Sequence, residues 1–187
     1  MKKVSKKSDK KIEKAVEKTV LCEVSPLSEA LAILKRSPEF KKWRELHPSD
    51  FLASAFTIME GKKAEWQFSF YNGDRDSVVS FTVSDLGIGI LPESAVFREP
   101  EQAIAEIKEA EINLDIHKAI EIASKCQGEK YPKERPIKVI AVLAGSGGRN
   151  IWSITYLTQN FKTLVMKVDA SSGELISHRI ISFFSYE

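Results

Sequence analysis

The chain has 187 residues, of which 43% are hydrophobic and 29% charged, a balance typical of a globular protein with one or two domains. Its formal net charge of +2 argues against a protein that binds nucleic acid with its whole surface. No run of about 18 apolar residues is present and no apolar stretch follows the N-terminal lysines, so we expect no membrane span, no secretory signal and a cytoplasmic location, although a chain trimmed of its signal would look the same.

The positive charge is concentrated at the N-terminus. Residues 1–19 contain eight lysines and three acidic residues, a net charge of +5 that leaves −3 for the rest. Ile12, Val16 and Val20 recur every four residues, which predicts a short amphipathic helix after a disordered start. We interpret residues 1–22 as a basic arm: a solubilising tail, a docking segment for an acidic partner or nucleic acid, or an anchor at a membrane surface.

Residues 23–99 are predicted to form a first unit of helices followed by strands. Ser28 can cap a helix over residues 27–36, and Ser37, which precedes a proline, is a typical start for a second helix over residues 37–46. β-branched and aromatic residues then alternate with polar ones, which predicts strands. These strands cover residues 51–60, 64–71, 77–85 and 94–99.

The same order of elements returns in the second half. A proline opens a stripe of alanine and isoleucine that predicts a connecting helix over residues 100–112. Residues 113–187 form the second unit, with a helix over residues 114–125 that Asp115 could cap. Its predicted strands cover residues 137–144, 150–158, 163–169 and 174–184.

The two halves can be aligned on their tryptophans. A strand opens fifteen residues before each tryptophan, and alternating apolar residues follow each one. Downstream, an Asp-x-x-x-Gly spacing occurs in both halves, and we expect its aspartate to bind turn amides and its glycine to adopt a positive φ. We interpret these residues as markers of a duplicated template without a chemical role. They are Trp66, Asp85, Gly89, Trp152, Asp169 and Gly173.

Residues 151–179 combine a tryptophan-led strand, a hairpin, an apolar strand ending in Val-Asp-Ala, two small residues and Gly-Glu. The positions that carry this pattern are Trp152, Val168, Asp169, Ala170, Gly173 and Glu174. The pattern resembles the PepSY domain family over about residues 112–187, and less completely over residues 27–99, where "VSDLGIG" lacks the alanine and the glutamate. The resemblance implies an α+β fold of two tandem cystatin-like units, each a helix packed on a curved antiparallel sheet of about four strands. It also implies binding or inhibition of a protein partner, since such domains are found in peptidase propeptides and regulatory proteins.

The sequence shows no recognisable catalytic, metal or cofactor site. "GSGGRN" over residues 145–150 lacks the lysine of a phosphate loop and joins two predicted strands, which favours a hairpin. The histidines and cysteines are not spaced as metal ligands or as a nucleophile with its base. They are His47, His117, His178, Cys22 and Cys126, and the sequence leaves open whether the cysteines have a function. We therefore expect a protein that is not an enzyme and binds no cofactor.

Four residues on the second face of the predicted sheets are apolar: Phe56, Ile58, Ile140 and Val142. A sheet with one buried face usually carries polar residues on the other. We therefore expect something to cover these side chains. The candidates are the other half of the chain, the helix predicted over residues 100–112, and a second protomer in a homodimer.

These observations favour a non-enzymatic binding or regulatory module with a protein or peptide partner, such as a peptidase inhibitor. One alternative is a small-ligand-binding or enzymatic domain with a pocket between helix and sheet. A second alternative is docking of nucleic acid or an acidic partner through residues 1–19, which predicts salt-sensitive binding.

Overall fold

The structure, a computed structural model, describes residues 24–60, 64–96 and 103–182. Two helices come first, α1 (Leu27–Arg36) and α2 (Pro38–Leu46). They precede β1 (Phe51–Met59), β2 (Trp66–Asn72), β3 (Ser77–Ser84), β4 (Gly87–Ile90) and β5 (Ser94–Ala95). A 3-10 turn (Glu109–Glu111) leads to α3 (Ile116–Lys130) and to β6 (Pro136–Ser146), β7 (Arg149–Thr158), β8 (Lys162–Asp169) and β9 (Leu175–Ser182).

Within the described residues, nine strands form one continuous antiparallel sheet. Its order is β4-β3-β2-β1-β6-β7-β8-β9, with β5 paired to β3. The joint between the two halves is the pairing of β1 with β6, from Ser54 opposite Ala144 to Met59 opposite Val139. The predicted division into two tandem helix-on-sheet units is therefore wrong, although the α+β class holds. Two separate sheets would each have left an edge strand with unpaired backbone groups, and here those two edges bind each other.

The three helices pack on one face of this sheet and share one hydrophobic core with it. In α1, Leu27, Ala30, Leu31 and Leu34 are buried, the spacing of a helix with one apolar face. In the middle of the core, the rings of Trp66 and Trp152 lie 6.3 Å apart. One tryptophan comes from each half, so the core is continuous across the joint.

The helices predicted over residues 27–36, 37–46 and 114–125 are present. Ser37 caps α2, because its Oγ accepts a hydrogen bond from the amide of Phe40 at 3.1 Å. Asp115 precedes α3 as predicted but binds elsewhere: its Oδ1 accepts from the amide of Leu27 at 3.1 Å. Ser28 lies inside α1 rather than at its N-cap. The start of α1 is thus capped by a side chain that is 88 residues away in sequence.

The connecting helix predicted over residues 100–112 is wrong for the part that the structure describes. Residues 103–115, which we call the strap, cross the end of the sheet on the core side, and the 3-10 turn is the one helical element within the strap. The amide of Ile107 donates to the carbonyl of Leu52 at 2.8 Å. The side chain of Asn150 accepts from the amide of Lys108 at 3.2 Å and donates to its carbonyl at 2.8 Å. These backbone groups are bound by the sheet, so they do not form helical hydrogen bonds.

The amphipathic helix predicted around Ile12, Val16 and Val20 and the cysteine at position 22 lie outside the described residues. Among the described helices, none has the length and apolar character needed to cross a bilayer.

Candidate interaction surface

The four apolar residues predicted on the second face of the sheet come together in the structure. Phe56 pairs with Val142, and Ile58 pairs with Ile140, across the two central strands β1 and β6. Ile58 is 37% exposed and the other three are half-buried. The described helices pack on the opposite face. We call the face away from the helices the open face and these four side chains the apolar patch.

Two of the predicted covers of the patch are wrong. The halves of the chain meet edge to edge through β1 and β6, so the patch lies across their joint and is not buried by it. The strap lies on the core side, where Ile107 is 2% exposed. Neither the other half nor the predicted helix over residues 100–112 therefore covers the patch. A second protomer or another protein remains as the candidate that would cover the patch.

The open face is neutral and polar on the side of β2 and β3. Gln67 lies opposite Thr82, and Ser69 lies opposite Ser80. The hydroxyl oxygens of Ser69 and Ser80 are 2.8 Å apart and share a hydrogen bond. This half shows the apolar-in, polar-out alternation expected of an antiparallel sheet with one wet face.

The open face is basic on the side of β8 and β9. Lys167 pairs with Ser177 and Arg179 pairs with Val165, so the two cations are diagonal neighbours on adjacent strands. Both are exposed, and neither has an acidic partner in the part of the chain that the structure describes. Sequence reasoning missed this pair because its two members come from different strands. The register of β8 against β9 brings them together.

Two pairs of opposite charges on the open face are engaged within the chain. Lys138 Nζ lies 2.5 Å from Glu60 Oε2. Arg149 Nη1 lies 3.4 Å from Asp169 Oδ2. One exposed carboxylate, that of Glu174, has no ion pair among the described residues, and the backbone carbonyl of Glu174 accepts from the amide of Asp169 at 2.9 Å.

Trp66 and Trp152 occupy equivalent places and make equivalent hydrogen bonds. The indole N–H of Trp66 donates to the carbonyl of Ser25, and that of Trp152 donates to the carbonyl of Leu114, both at 3.0 Å. Each side chain is at most 1% exposed. The two indoles fill the space between helices and sheet at the centre of the core.

Asp169 and Gly173 shape the turn from β8 to β9 as predicted. Asp169 Oδ1 accepts from the amides of Ser171 and Ser172 at 2.9 and 3.0 Å. The hydrogen bonds from Ser172 and Ser171 lower the pKa of the Asp169 carboxyl below its ordinary value of 3.8. Gly173 has a φ of +78°, a conformation that other residues rarely adopt.

Asp85 does not hold the place of Asp169 in the first half. Val83 is the partner of Trp66, so the next residue, Ser84, lies where Asp169 lies in the second half. The Oγ of Ser84 accepts from the amide two residues later at 3.2 Å. Asp85 follows one position later and is exposed.

Gly89 likewise does not hold the place of Gly173 in the first half. It lies inside β4 opposite Thr82. The glycine with a positive φ at this turn is Gly87, at +117°. The matching Asp-x-x-x-Gly spacing of the two halves therefore does not reflect matching geometry.

Replacing Asp169 tests the charged turn cap. Asp169→Ala removes the acceptor for two amides and is expected to lower the free energy of unfolding by about 1 kcal/mol at pH 7, as for a lost helix cap. Because the folded-state pKa lies below the unfolded one, the carboxylate stabilises the fold above about pH 4, and this stability is lost as the pH falls through the folded-state pKa. Asp169→Asn keeps an acceptor that does not titrate. Urea unfolding at pH 7 and pH 3 should show less loss for Asp169→Asn than for the wild type, and identical losses would contradict the cap.

A cleft of about 460 Å³ lies between α2, the start of β1 and the strap. Both of its cations are engaged within the chain. Lys35 Nζ lies 2.6 Å from Glu109 Oε1. The guanidinium of Arg44 donates to the carbonyls of His47, at 3.1 Å, and Asp50, at 2.5 Å.

A polar cluster next to this cleft closes the end of the sheet. Asp50, whose side chain is 1% exposed, accepts from the Asn72 amide at 2.5 Å, and Arg75 Nη2 lies 3.4 Å from its other oxygen. Arg75 Nε also donates to Glu93 at 2.8 Å. Hydrogen bonds from Ser77 and Arg75 lower the pKa of the Glu93 carboxyl. Sequence reasoning missed this cluster because its members come from three separate parts of the chain.

Each histidine contacts a side chain near it rather than another histidine. The pairs are His47 with Trp43, His117 with Asp115, and His178 with Tyr131. The described residues contain no group of three His, Cys, Asp or Glu side chains placed to hold a metal ion. Cys126 is buried, and this burial raises the pKa of its thiol.

Residues 145–150 form the hairpin that the sequence predicts. Ser146 pairs with Arg149 across the turn from β6 to β7. Gly147 and Gly148 between them have φ values of +58° and +78°. No helix follows this turn, so it lacks the helix N-terminus that a phosphate loop uses.

No family model matches the chain, and no curated protein matches it. Among solved structures, the chain is similar to the crystal structure of a protein from Clostridium difficile 630 that carries the name "putative lipoprotein". The two are 11% identical with a TM-score of 0.52, and the similarity covers 76% of this chain and 90% of that chain. At this identity the likeness shows a shared fold and carries no function to this chain. The PepSY resemblance stays a prediction.

Proposed function

We propose that this chain is a non-enzymatic binding or regulatory module that takes a protein partner on its open face. The observation that carries the proposal is the apolar patch, in which Phe56–Val142 and Ile58–Ile140 are side by side at the centre of the sheet. Exposed groups of neighbouring apolar side chains mark interaction sites. Covering them is favourable by about 25 cal/mol per Å² of apolar surface removed from water.

The core side of the sheet supports this proposal over a ligand pocket between helix and sheet. Trp66 and Trp152 occupy that space with at most 1% of either side chain exposed. The two cations that line the neighbouring cleft are engaged within the chain, Lys35 by Glu109 and Arg44 by two backbone carbonyls. The open face is therefore the better candidate for recognition.

Site-specific photo-crosslinking tests the proposal. The photoreactive residue p-benzoylphenylalanine replaces Phe56 or Ile140 in the full chain, and the matched control replaces Lys125, which is exposed on α3 on the other side of the sheet. We expect discrete adducts with a second protein at positions 56 and 140 and none at 125, because only the first two positions lie in the patch. Mass spectrometry identifies the captured protein.

The alternative outcomes of this experiment are distinct. Absence of adducts at both patch positions, or equal adducts at all three positions, would contradict the proposal. An adduct of twice the chain's mass would identify the homodimer predicted from the sequence in place of a different protein.

A further inference from the structure

We infer that the protein surface taken by the open face is acidic, an inference that rests on the proposed function. Lys167 and Arg179 stand on β8 and β9, next to each other and without an acidic partner among the described residues. Strands in a sheet are about 4.8 Å apart, so β8 lies roughly 10 Å from the apolar patch on β6. One partner of ordinary size can cover the patch and reach both cations.

The charges on the open face show why an acidic partner fits. Glu60 is engaged with Lys138. Asp169 is engaged with turn amides and with Arg149. On the side of β8 and β9, these pairs leave two unpaired cations, Lys167 and Arg179, against one unpaired carboxylate among the described residues, Glu174, so the charge that a partner must match is positive.

A second copy of the chain does not supply the missing charge. If two open faces packed on each other, Glu60 and Asp169 would already be engaged within each chain, and Glu174 would be the one unpaired carboxylate near β8 and β9, in the described part of the chain, to meet Lys167 and Arg179. The remaining half presents neutral groups, such as Gln67 and Thr82. The two unpaired cations outnumber this carboxylate on each face, so the charge pattern favours an acidic partner over a second copy.

A bilayer surface is a poorer match than a protein. Binding in the plane of a membrane requires apolar side chains that enter the headgroup region by about 5–10 Å. Phe56, Ile140 and Val142 are half-buried in the sheet surface and do not project that far. A folded protein or helix can instead bring its own apolar side chains down to the patch.

Two designed helical peptides of about 18 residues test the sign of the partner. Both have leucine at positions i, i+3, i+4 and i+7, flanked by glutamate in one peptide and by lysine in the other. Fluorescence anisotropy measures their binding to the full chain. We expect the acidic peptide to bind about tenfold more tightly at low salt, since it makes two exposed ion pairs, and to lose most of this advantage near 1 M salt.

Charge-reversal variants assign the preference to the proposed residues. K167E/R179E should remove the preference for the acidic peptide, while the matched control K125E/K133E, which changes exposed lysines away from the open face, should keep it. Circular dichroism checks that the variants fold. Equal binding of the two peptides by the wild type, or a preference that survives K167E/R179E, would overturn this inference and leave the proposed function standing.

Two further results separate this inference from the proposed function. No binding of either peptide, or binding that Ile140→Lys leaves unchanged, would count against the apolar patch and so against the proposed function itself. Vesicles of phosphatidylcholine with phosphatidylglycerol serve as the membrane probe. Tighter binding to these vesicles than to the acidic peptide would overturn the inference in favour of a lipid surface.

Discussion

Replacing Trp152 by alanine is expected to lower the free energy of unfolding by about 3–5 kcal/mol, the usual cost of truncating a fully buried tryptophan. The side chain has no exposed surface, and its N–H donates to the carbonyl of Leu114 at 3.0 Å. The variant therefore leaves both a cavity and a buried carbonyl without its donor. Urea unfolding followed by circular dichroism measures the change. Trp152→Phe, which keeps an aromatic ring, should lose less.

The same experiment distinguishes one core from two. Trp66 and Trp152 belong to different halves of the chain, yet their rings are 6.3 Å apart in one cluster. Trp66→Ala and Trp152→Ala should therefore shift a single common transition, and their effects should not add, because residues in contact are coupled. Two transitions, of which each variant moves one, would contradict the continuous core.

Helices and strands that are defined by local sequence signals could be predicted from the sequence. The apolar stripe of α1 and the cap of α2 by Ser37 depend on residues within one or two turns, and both are present. The strands around Trp66 and Trp152 follow a period of two, which local alternation reveals. Boundaries in these regions differ from the predicted ones by a few residues.

The joint between β1 and β6 could not be predicted by the same reasoning. The sequence indicated that β1 and β6 are apolar on both faces, through Phe56, Ile58, Ile140 and Val142. This pattern fits the central strands of a sheet as well as strands covered from both sides. The pattern identifies which strands are unusual but not how they meet. The pairing depends on two segments more than 80 residues apart, and alternation along each strand contains no information about that register.

The strap and the surface charges escaped prediction for a related reason. The stripe that includes Ile107 has helical spacing, but Asn150 and Leu52 bind the strap backbone from distant positions and override this weak local preference. Lys167 and Arg179 are unremarkable in their own strands and become neighbours through the β8–β9 register. The apolar patch could therefore be predicted from the sequence, whereas the pair of cations beside it could be recognised only once the strand register was known.

The strap passes so close to β6 that it leaves no room for a side chain at position 145. At Gly145, which bridges to Ala105 of the strap, an added Cβ would lie 2.9 Å from both the Cβ and the carbonyl oxygen of Ala105 and 3.0 Å from the carbonyl oxygen of Glu106. Two of these three contacts are with backbone atoms, so a side-chain rotation cannot relieve them. Gly145 is therefore the place where the strap passes close over the sheet.

Gly145→Ala is accordingly expected to lower the free energy of unfolding by about 1–3 kcal/mol through overpacking. Gly128 in α3 provides the matched control, because a Cβ there meets nothing within 4 Å and alanine favours a helix by up to about 1 kcal/mol over glycine. Urea unfolding should therefore move in opposite directions for the two substitutions. If Gly145→Ala were as stable as the wild type, the strap would not lie against β6, and the hydrogen bonds from Asn150 to Lys108 would have to be reassigned as well.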